Sequence, residues 1–121
     1  MKLEEIKKRN FQAGVLMAVA KQIIGNYCER NGFRKIEKNS PGGLWEKTIL
    51  VRKKESGEMK IFLDYLFCVC DKEDGEDWYN GGVSIHVLYP GKSRAGFTVS
   101  KTEELDRIEG FLERTIEMLS S

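Results

Sequence analysis

His86 is the one histidine of the chain, and the residues expected around it are those that could support chemistry. We place His86 in a strand, beside Leu66 and diagonal to Asp64 of the neighbouring strand. A carboxylate close to an imidazole is the minimal arrangement of a general base. Lys60 and Arg52, on the same hairpin, would suit an anionic ligand such as a nucleotide. The pattern places no nucleophile there, so a half-buried histidine with a hydrogen-bonding partner ranks above catalysis.

Three cysteines, Cys28, Cys68 and Cys70, could act as metal ligands together with His86. Structural zinc sites usually use close pairs such as C-x2-C in loops, whereas the pair here is C-x-C within a predicted strand. Side chains two apart on a strand point the same way about 7 Å apart, which is poor geometry for a disulfide. We therefore expect reduced thiols packed as small apolar groups, no metal, no cofactor and a cytoplasmic location.

An antiparallel sheet is predicted to position these residues. A turn at Glu55-Ser56-Gly57, with Gly57 in the left-handed region, would pair Ile49 with Leu63. A strand over 82–89 would return across a loop over 71–81 and pair Val83 with Val69. Both registers place the same apolar side chains on one core face. These are Trp45, Ile49, Val51, Ile61, Leu63, Tyr65, Phe67, Val69, Val83, Ile85 and Val87.

A helix at each end should cover that core face. Apolar residues three or four apart predict one long helix over 3–30, or as the alternative two helices with a break near Asn10, and an Asn31-Gly32 cap. Its predicted inward row is Leu3, Ile6, Val15, Val19, Ile23 and Tyr27, and Leu16, Ala20 and Ile24 widen the buried stripe. A short edge strand over 33–37 should follow. Ser100 and Glu103 fit a capping box that opens a second helix, which runs to about Leu119. The side chains predicted to point inward are those of Leu105, Ile108, Leu112, Thr115 and Leu119.

The predicted fold class is α+β, as one domain over residues 1–121. It is an antiparallel meander of four to five strands, flanked by an N-terminal and a C-terminal helix packed on one face. Composition agrees, with 40% hydrophobic and 32% charged residues. No stretch is apolar enough for a membrane span, and the glutamates near the N-terminus argue against a signal peptide.

The sheet face away from the helices is unusually apolar. It should present Phe62, Leu66, Leu88 and Leu50 as a patch bordered by charges, whereas a solvent-facing side is normally polar. Apolar patches of this kind mark interaction sites. We consider a partner-binding surface or homodimer interface there, and as the alternative a face covered by the first helix or a loop.

A second candidate surface is the acidic segment that connects two strands over 71–81. Asp77, Trp78 and Tyr79 combine acids with aromatics, as protein-binding hot spots do. In the alternative, both aromatics fold back and cover the edge of the sheet. The segment resembles a calcium loop only in composition, because its glycine and its last acidic ligand are misplaced.

Charge is divided unevenly along a chain with a net charge of +1. Residues 1–60 hold 14 basic and 7 acidic side chains, and residues 61–121 hold 6 basic and 12 acidic ones. Basic residues on the first hairpin, Lys47, Arg52, Lys53, Lys54 and Lys60, permit nucleic-acid binding, although no nucleic-acid motif is present.

The leading functional hypothesis is a small binding protein that docks an unidentified protein partner, as an inhibitor, regulator or immunity-type protein does. The compact fold presents two candidate docking surfaces and no set of catalytic residues. The second hypothesis is small-molecule or nucleotide binding, with or without catalysis, at Arg52, Lys60, Asp64 and His86. Nucleic-acid binding ranks third.

Overall fold

The computed structural model describes residues 3–36, 42–51, 55–69, 78–89, 91 and 94–120. A long helix precedes a five-stranded antiparallel sheet, and a 3-10 helix leads into the C-terminal helix. In chain order the elements are α1 (Leu3–Arg30), β1 (Arg34–Ile36), β2 (Leu44–Val51), β3 (Glu55–Val69), β4 (Trp78–Leu88), β5 (Ala95–Val99), the 3-10 helix (Thr102–Arg107) and α2 (Ile108–Ser120). The strands are neighbours in sequence order, which confirms the predicted meander.

The core lies between the two helices and one face of the sheet. Alternate side chains of the central strands are wholly buried there, because neighbouring residues of a strand point to opposite faces. The largest wholly buried apolar side chains are Met59, Ile61 and Leu63 of β3, Val83, Ile85 and Val87 of β4, Val99 of β5, Ile24 of α1, and Ile108 and Leu112 of α2. Both helices therefore pack on one face, as predicted.

Helix α1 is continuous, as predicted for one long helix, and the alternative of two helices with a break near Asn10 is wrong. The Asn10 side chain accepts a hydrogen bond of 2.7 Å from the backbone N–H of Asn80 in β4. The predicted inward row is also partly wrong, since Leu3, Val15 and Val19 are exposed. The buried residues are Ile6, Ala13, Leu16, Met17, Ala20, Ile24, Tyr27 and Cys28, so the predicted burial of Leu16, Ala20 and Ile24 is confirmed. Because α1 is apolar on more than one side, its periodicity does not show which part of the wide stripe is the centre of the contact with the sheet.

The end of α1 follows its predicted cap. Gly32 has a φ of 78°, a conformation that glycine adopts without steric cost. The backbone N–H of Phe33 then donates to the carbonyl of Cys28 over 2.8 Å, closing the hydrogen bonds of a left-handed cap. The chain thereby turns into the short edge strand β1.

The register between β2 and β3 differs from the prediction. Ile49 lies opposite Gly57 rather than Leu63. Gly57 is a strand residue, and the connection falls at residues 52–54, including Arg52, which lie outside the described residues. The shift from position 63 to position 57 is an even number of residues, so each side chain keeps its predicted face. The face assignment is right although the turn is wrong.

The second hairpin is also longer than predicted. Strand β4 begins at Trp78, and Val83 lies opposite Tyr65 rather than Val69. The pairing shifts between Leu66 and Phe67 and leaves one extra residue in β4, which makes a β-bulge. Gly82, beside the bulge, has a φ of 149°, and a side chain there would collide with the backbone of Val99.

Two side chains predicted to be in the core are exposed. Phe67 is 62% and Val69 is 84% exposed. They follow the bulge, at the end of a strand of 15 residues. Side-chain alternation along β3 predicts a face for these positions but cannot predict how far the helical layer extends over it.

The start of the C-terminal helical segment is one residue later than predicted. The carboxylate of Glu104, rather than that of Glu103, accepts hydrogen bonds from the backbone N–H groups of Ser100 and Lys101 at 3.2 and 3.0 Å. These bonds satisfy donors that the first helical turn leaves without partners. Of the residues predicted to point inward, Leu105, Ile108, Leu112 and Thr115 are buried, and the side chain of Leu119 lies outside the described ones.

Candidate functional site

The sheet face away from α1 and α2, called here the second face, holds apolar side chains outside the main core. The core cluster joins residues of both helices to the other face. Among the described residues, Leu44, Phe62, Leu66 and Leu88 do not belong to that cluster. The first helix packs on the other face, so that half of the predicted alternative is wrong. Leu44 is nevertheless buried, at 9% exposure. Coverage by a loop stays a prediction, because residues 37–41, 70–77 and 92–93 lie outside the described residues.

One row of directly paired residues crosses the second face through all five strands. Ile36 pairs with Leu44, Leu44 with Phe62, Phe62 with His86, and His86 with Gly96. Side chains of directly opposite residues stand about 5 Å apart, and five strands span roughly 20 Å. These residues, called the central row, form a continuous and largely apolar strip.

The middle of the central row is an aromatic stack. The rings of Phe62 and His86 have centroids 4.6 Å apart and planes inclined by 22°. Nδ1 of His86 is buried and has no hydrogen-bond partner among the described residues. Burial lowers the pKa of His86, the positive charge of Arg94 lowers it further, and Asp64 acts in the opposite direction. At neutral pH the ring is therefore uncharged and can pack as an aromatic side chain.

Charged side chains border the central row. On one side Arg34 pairs with Glu46 and Glu46 with Lys60. Arg34 donates a hydrogen bond of 2.6 Å to Glu46, which holds the pKa of that carboxyl below its usual value. On the other side Asp64 pairs with Ser84. Along β3, Lys60 and Asp64 thus stand two residues before and two residues after Phe62, on the same face.

The predicted ligand site is assembled only in part. Lys60, Asp64 and His86 do surround one position, and His86 is diagonal to Asp64, as predicted. Phe62 rather than Leu66 stands beside His86, so that neighbour prediction is wrong. Oδ1 of Asp64 accepts a hydrogen bond of 2.8 Å from the adjacent N–H of Tyr65, and the histidine Nδ1 accepts none from the described residues.

The apolar patch predicted on this face is not contiguous. Leu88 is a diagonal neighbour of Phe62, but Leu66 lies four residues along β3, about 13 Å away. Leu50 pairs with Ser56 near the far end of the hairpin. In the predicted register Leu50 would have stood beside Phe62, and Leu44 takes that place instead. The side chains that sequence reasoning missed are therefore Ile36 and Leu44, which only the correct register identifies.

The acidic segment over 71–81 was predicted to be a connection, but its described part, from Trp78 onward, belongs to a strand. Trp78 and Tyr79 belong to β4, opposite Val69 and Cys68. The guanidinium of Arg9 in α1 lies 5.2 Å from the centre of the Tyr79 ring, so this ring makes a cation–π contact within the chain. Asp77 and Cys70 fall within residues 70–77, outside the described residues.

A further apolar surface, missed by sequence reasoning, lies on α1. Phe11 is 74% exposed, and Val15 and Val19 are exposed on the following turns. A groove of 420 Å³ separates this row from Ser100 and Lys101 at the start of the 3-10 helix. The row is on the helical layer, on the opposite side of the molecule from the second face.

Two basic residues of the first hairpin, Lys47 and Lys60, are among the described residues, and they do not form one patch. Lys47 donates to the carbonyl of Asn31 over 2.7 Å and lies 5.7 Å from the Phe33 ring. Lys60 projects from the second face, since it pairs with Glu46 rather than with a core-facing residue. The two described lysines of the proposed nucleic-acid surface therefore point to opposite sides of the sheet.

Two cysteines of the described segments are free thiols. Cys28 is buried and Cys68 half-buried, and burial raises the pKa of Cys28 to about 12. Within the described ranges, no three His, Cys, Asp or Glu side chains are grouped as metal ligands are.

None of the described helices combines the length and the apolar composition that crossing a membrane requires.

The chain matches no family model, no curated protein and no solved structure. The second face and its central row are therefore the features from which a function is proposed.

Proposed function

We propose that the protein acts by docking another protein onto the second face of its sheet, as an inhibitor, a regulator or an immunity-type protein does. The observation that supports this most directly is the central row. It brings apolar and aromatic side chains of four adjacent strands side by side on the face away from the helices. An aromatic centre bordered by charged groups is the usual composition of a protein interface. The free thiols favour a reducing compartment, the cytoplasm, as its location.

Docking is favoured over small-molecule binding by the shape of the surface. Sites for small molecules are concave and enclose most of the ligand. Of four cavities lined by described residues, none is lined by His86, Asp64 or Phe62. A row on the face of a sheet suits a partner with its own extended surface.

The test compares two aromatic-to-aspartate variants in full-length, tagged protein. Phe62→Asp places a charge in the central row. Phe11→Asp is the matched control, because Phe11 is exposed on α1 and lies outside that row. Proteins retained from an extract of the source cell are quantified for the wild type and both variants. Each retained protein is then purified, and its affinity for all three forms is measured by calorimetry.

The proposal expects one saturable partner that binds the wild type and Phe11→Asp alike. Loss of a hot-spot aromatic costs about 2 kcal/mol or more, so Phe62→Asp should weaken binding roughly 30-fold or more. Circular dichroism must show that both variants are folded. Equal binding by all three forms, or loss with Phe11→Asp alone, contradicts docking at the second face. A small molecule whose binding requires both His86 and Asp64 would establish the ligand hypothesis instead.

A further inference from the structure

We infer that the partner docked on the second face is a second copy of this chain, forming a two-fold dimer whose axis runs along the central row. The inference rests on the proposed function, because it names the partner of the same surface. It follows from how charges are placed around Phe62, which only certain symmetric arrangements can accommodate.

Two identical sheets that meet face to face are related by a two-fold axis lying between them and parallel to both. Such an axis can run along the strands or across them. An axis along the strands keeps the strand direction, and where it passes over β3 it places each residue of β3 over itself. An axis across the strands reverses one β3 relative to the other, so that residues before Phe62 face residues after it.

The positions of Lys60 and Asp64 distinguish these two arrangements. Both side chains lie on the second face, two residues to either side of Phe62 on β3. With the axis along the strands, Lys60 faces Lys60 and Asp64 faces Asp64 of the second copy, and like charges repel. With the axis across the strands, each Lys60 faces Asp64 of the second copy. The charge pattern is self-complementary only in this second arrangement.

The central row is itself compatible with that axis. Its members pair directly across the strands, so the row runs at right angles to them and coincides with the axis. Phe62 and His86, both half-buried in one copy, would then each meet the same residue of the second copy, beside the buried Leu44. Aligned sheets pack about 10 Å apart, a distance that inward-facing side chains of both sheets fill.

Two of the neighbouring charges are paired within one copy. Arg34 and Glu46 form an ion pair within one copy. Ser84 and Thr98, which pair with each other on the opposite side of the central row, are uncharged. Leu88 faces Ser84 of the second copy, so its side chain gains cover without opposing a charge.

The first experiment measures the mass of the full chain by sedimentation over a range of concentrations. We expect a reversible dimer for the wild type and for Phe11→Asp, and a monomer for Phe62→Asp. A wild type that stays monomeric at every concentration overturns the inference. A dimer that Phe11→Asp dissociates and Phe62→Asp does not also overturns it, because that dimer would use the exposed row of α1.

The second experiment tests the axis by charge reversal. Lys60→Asp and Asp64→Lys each create two like-charge contacts per dimer, so each should weaken dimerisation roughly tenfold or more. The double variant exchanges the two charges and should restore the wild-type dissociation constant. With the axis along the strands the double variant would still oppose like charges, so an unrescued double variant overturns the arrangement.

The two proposals can fail separately. If the wild type is monomeric but another protein binds in a Phe62-dependent manner, docking at the second face stands and the second copy is wrong. If the chain is monomeric and no protein distinguishes Phe62→Asp from Phe11→Asp, both are wrong.

Discussion

The His86 ring has two properties that make the second face sensitive to pH. It stacks on Phe62, and its Nδ1 is buried without a hydrogen-bond partner in the described part of the chain. Both favour the uncharged ring. Lys60 and Asp64, diagonal to it on β3, and Arg94, which precedes β5, are the charged groups placed around it. A proton added to His86 would place a charge in an otherwise apolar row.

We therefore expect protein stability to fall as the pH is lowered through the histidine range. The pKa of His86 in the folded protein lies below its ordinary value of 6.5, so the unfolded chain binds the proton more readily. The stabilisation is complete above about pH 6.5 and is lost as the pH falls through the lowered pKa. Urea unfolding from about pH 7.5 to pH 5 should show this decrease. His86→Phe keeps a stacked ring and should remove most of it.

His86 is the sole histidine of the sequence, so this pH window is nearly free of other side-chain titrations. An unchanged pH dependence in His86→Phe would contradict the assignment. In the proposed dimer the two His86 rings meet, so dissociation should increase over the same pH range.

At the scale of elements, two adjacent glutamates at the start of the 3-10 helix have different roles in capping it. Glu104 accepts hydrogen bonds from the N–H groups of Ser100 and Lys101 and from the Ser100 hydroxyl. These bonds, the first from the Ser100 backbone, lower the pKa of the Glu104 carboxyl. Glu103 is exposed beside it. The spacing from Ser100 predicts that Glu103 is the capping carboxylate. Because the helix begins one residue later, Glu104 has that role instead.

Replacing these two glutamates separately should give different stabilities. Glu104→Ala leaves the first-turn donors without their acceptor and should cost about 0.5–2 kcal/mol of the free energy of unfolding. Glu103→Ala is the matched control and should change it by less than about 0.5 kcal/mol. Urea unfolding at neutral pH measures both. The difference should disappear at low pH, because the Glu104 contribution is lost as the pH falls through its lowered pKa. Equal effects at neutral pH would show that the cap is wrongly assigned.

At the scale of the whole molecule, the two helices enclose side chains that solvent reaches only when the fold opens. Cys28 on α1 is wholly buried in the core cluster, whereas Cys68 on β3 is half-buried. Burial raises the pKa of the Cys28 thiol to about 12, so its reactive thiolate is scarce at neutral pH. An ion pair of 2.9 Å between Arg30 and Glu109 also links α1 to α2, joining the basic and acidic halves of the chain.

The alkylation rate of Cys28 should therefore report opening of the whole molecule. With iodoacetamide at neutral pH, the peptide that contains Cys28 should be modified far more slowly than the one that contains Cys68. Urea that unfolds the chain should bring the two rates together. Mass spectrometry of digested samples measures both peptides in one experiment. Rapid labelling of Cys28 in the folded protein would contradict the packing of α1 on the sheet.

Much of this fold follows from local sequence patterns. Alternation along β2, β3 and β4 predicts the core face, and Ile61, Leu63 and Ile85 lie in the core as expected. The even register errors left those faces unchanged, since side chains alternate with a period of two. The cap at Gly32 and the edge strand β1 were likewise predictable, because both depend on a few adjacent residues.

The composition of the candidate surface depended on tertiary structure. Alternation places Phe62 and His86 on the second face but does not say that they stack, or that Leu44 rather than Leu50 stands beside Phe62. Register, the bulge near Gly82 and the buried row of α1 arise from packing between segments far apart in the sequence. The sequence alone thus determined the faces, through the local geometry of the strand. Only the folded chain decided which side chains on the second face are neighbours, since that depends on how distant strands align.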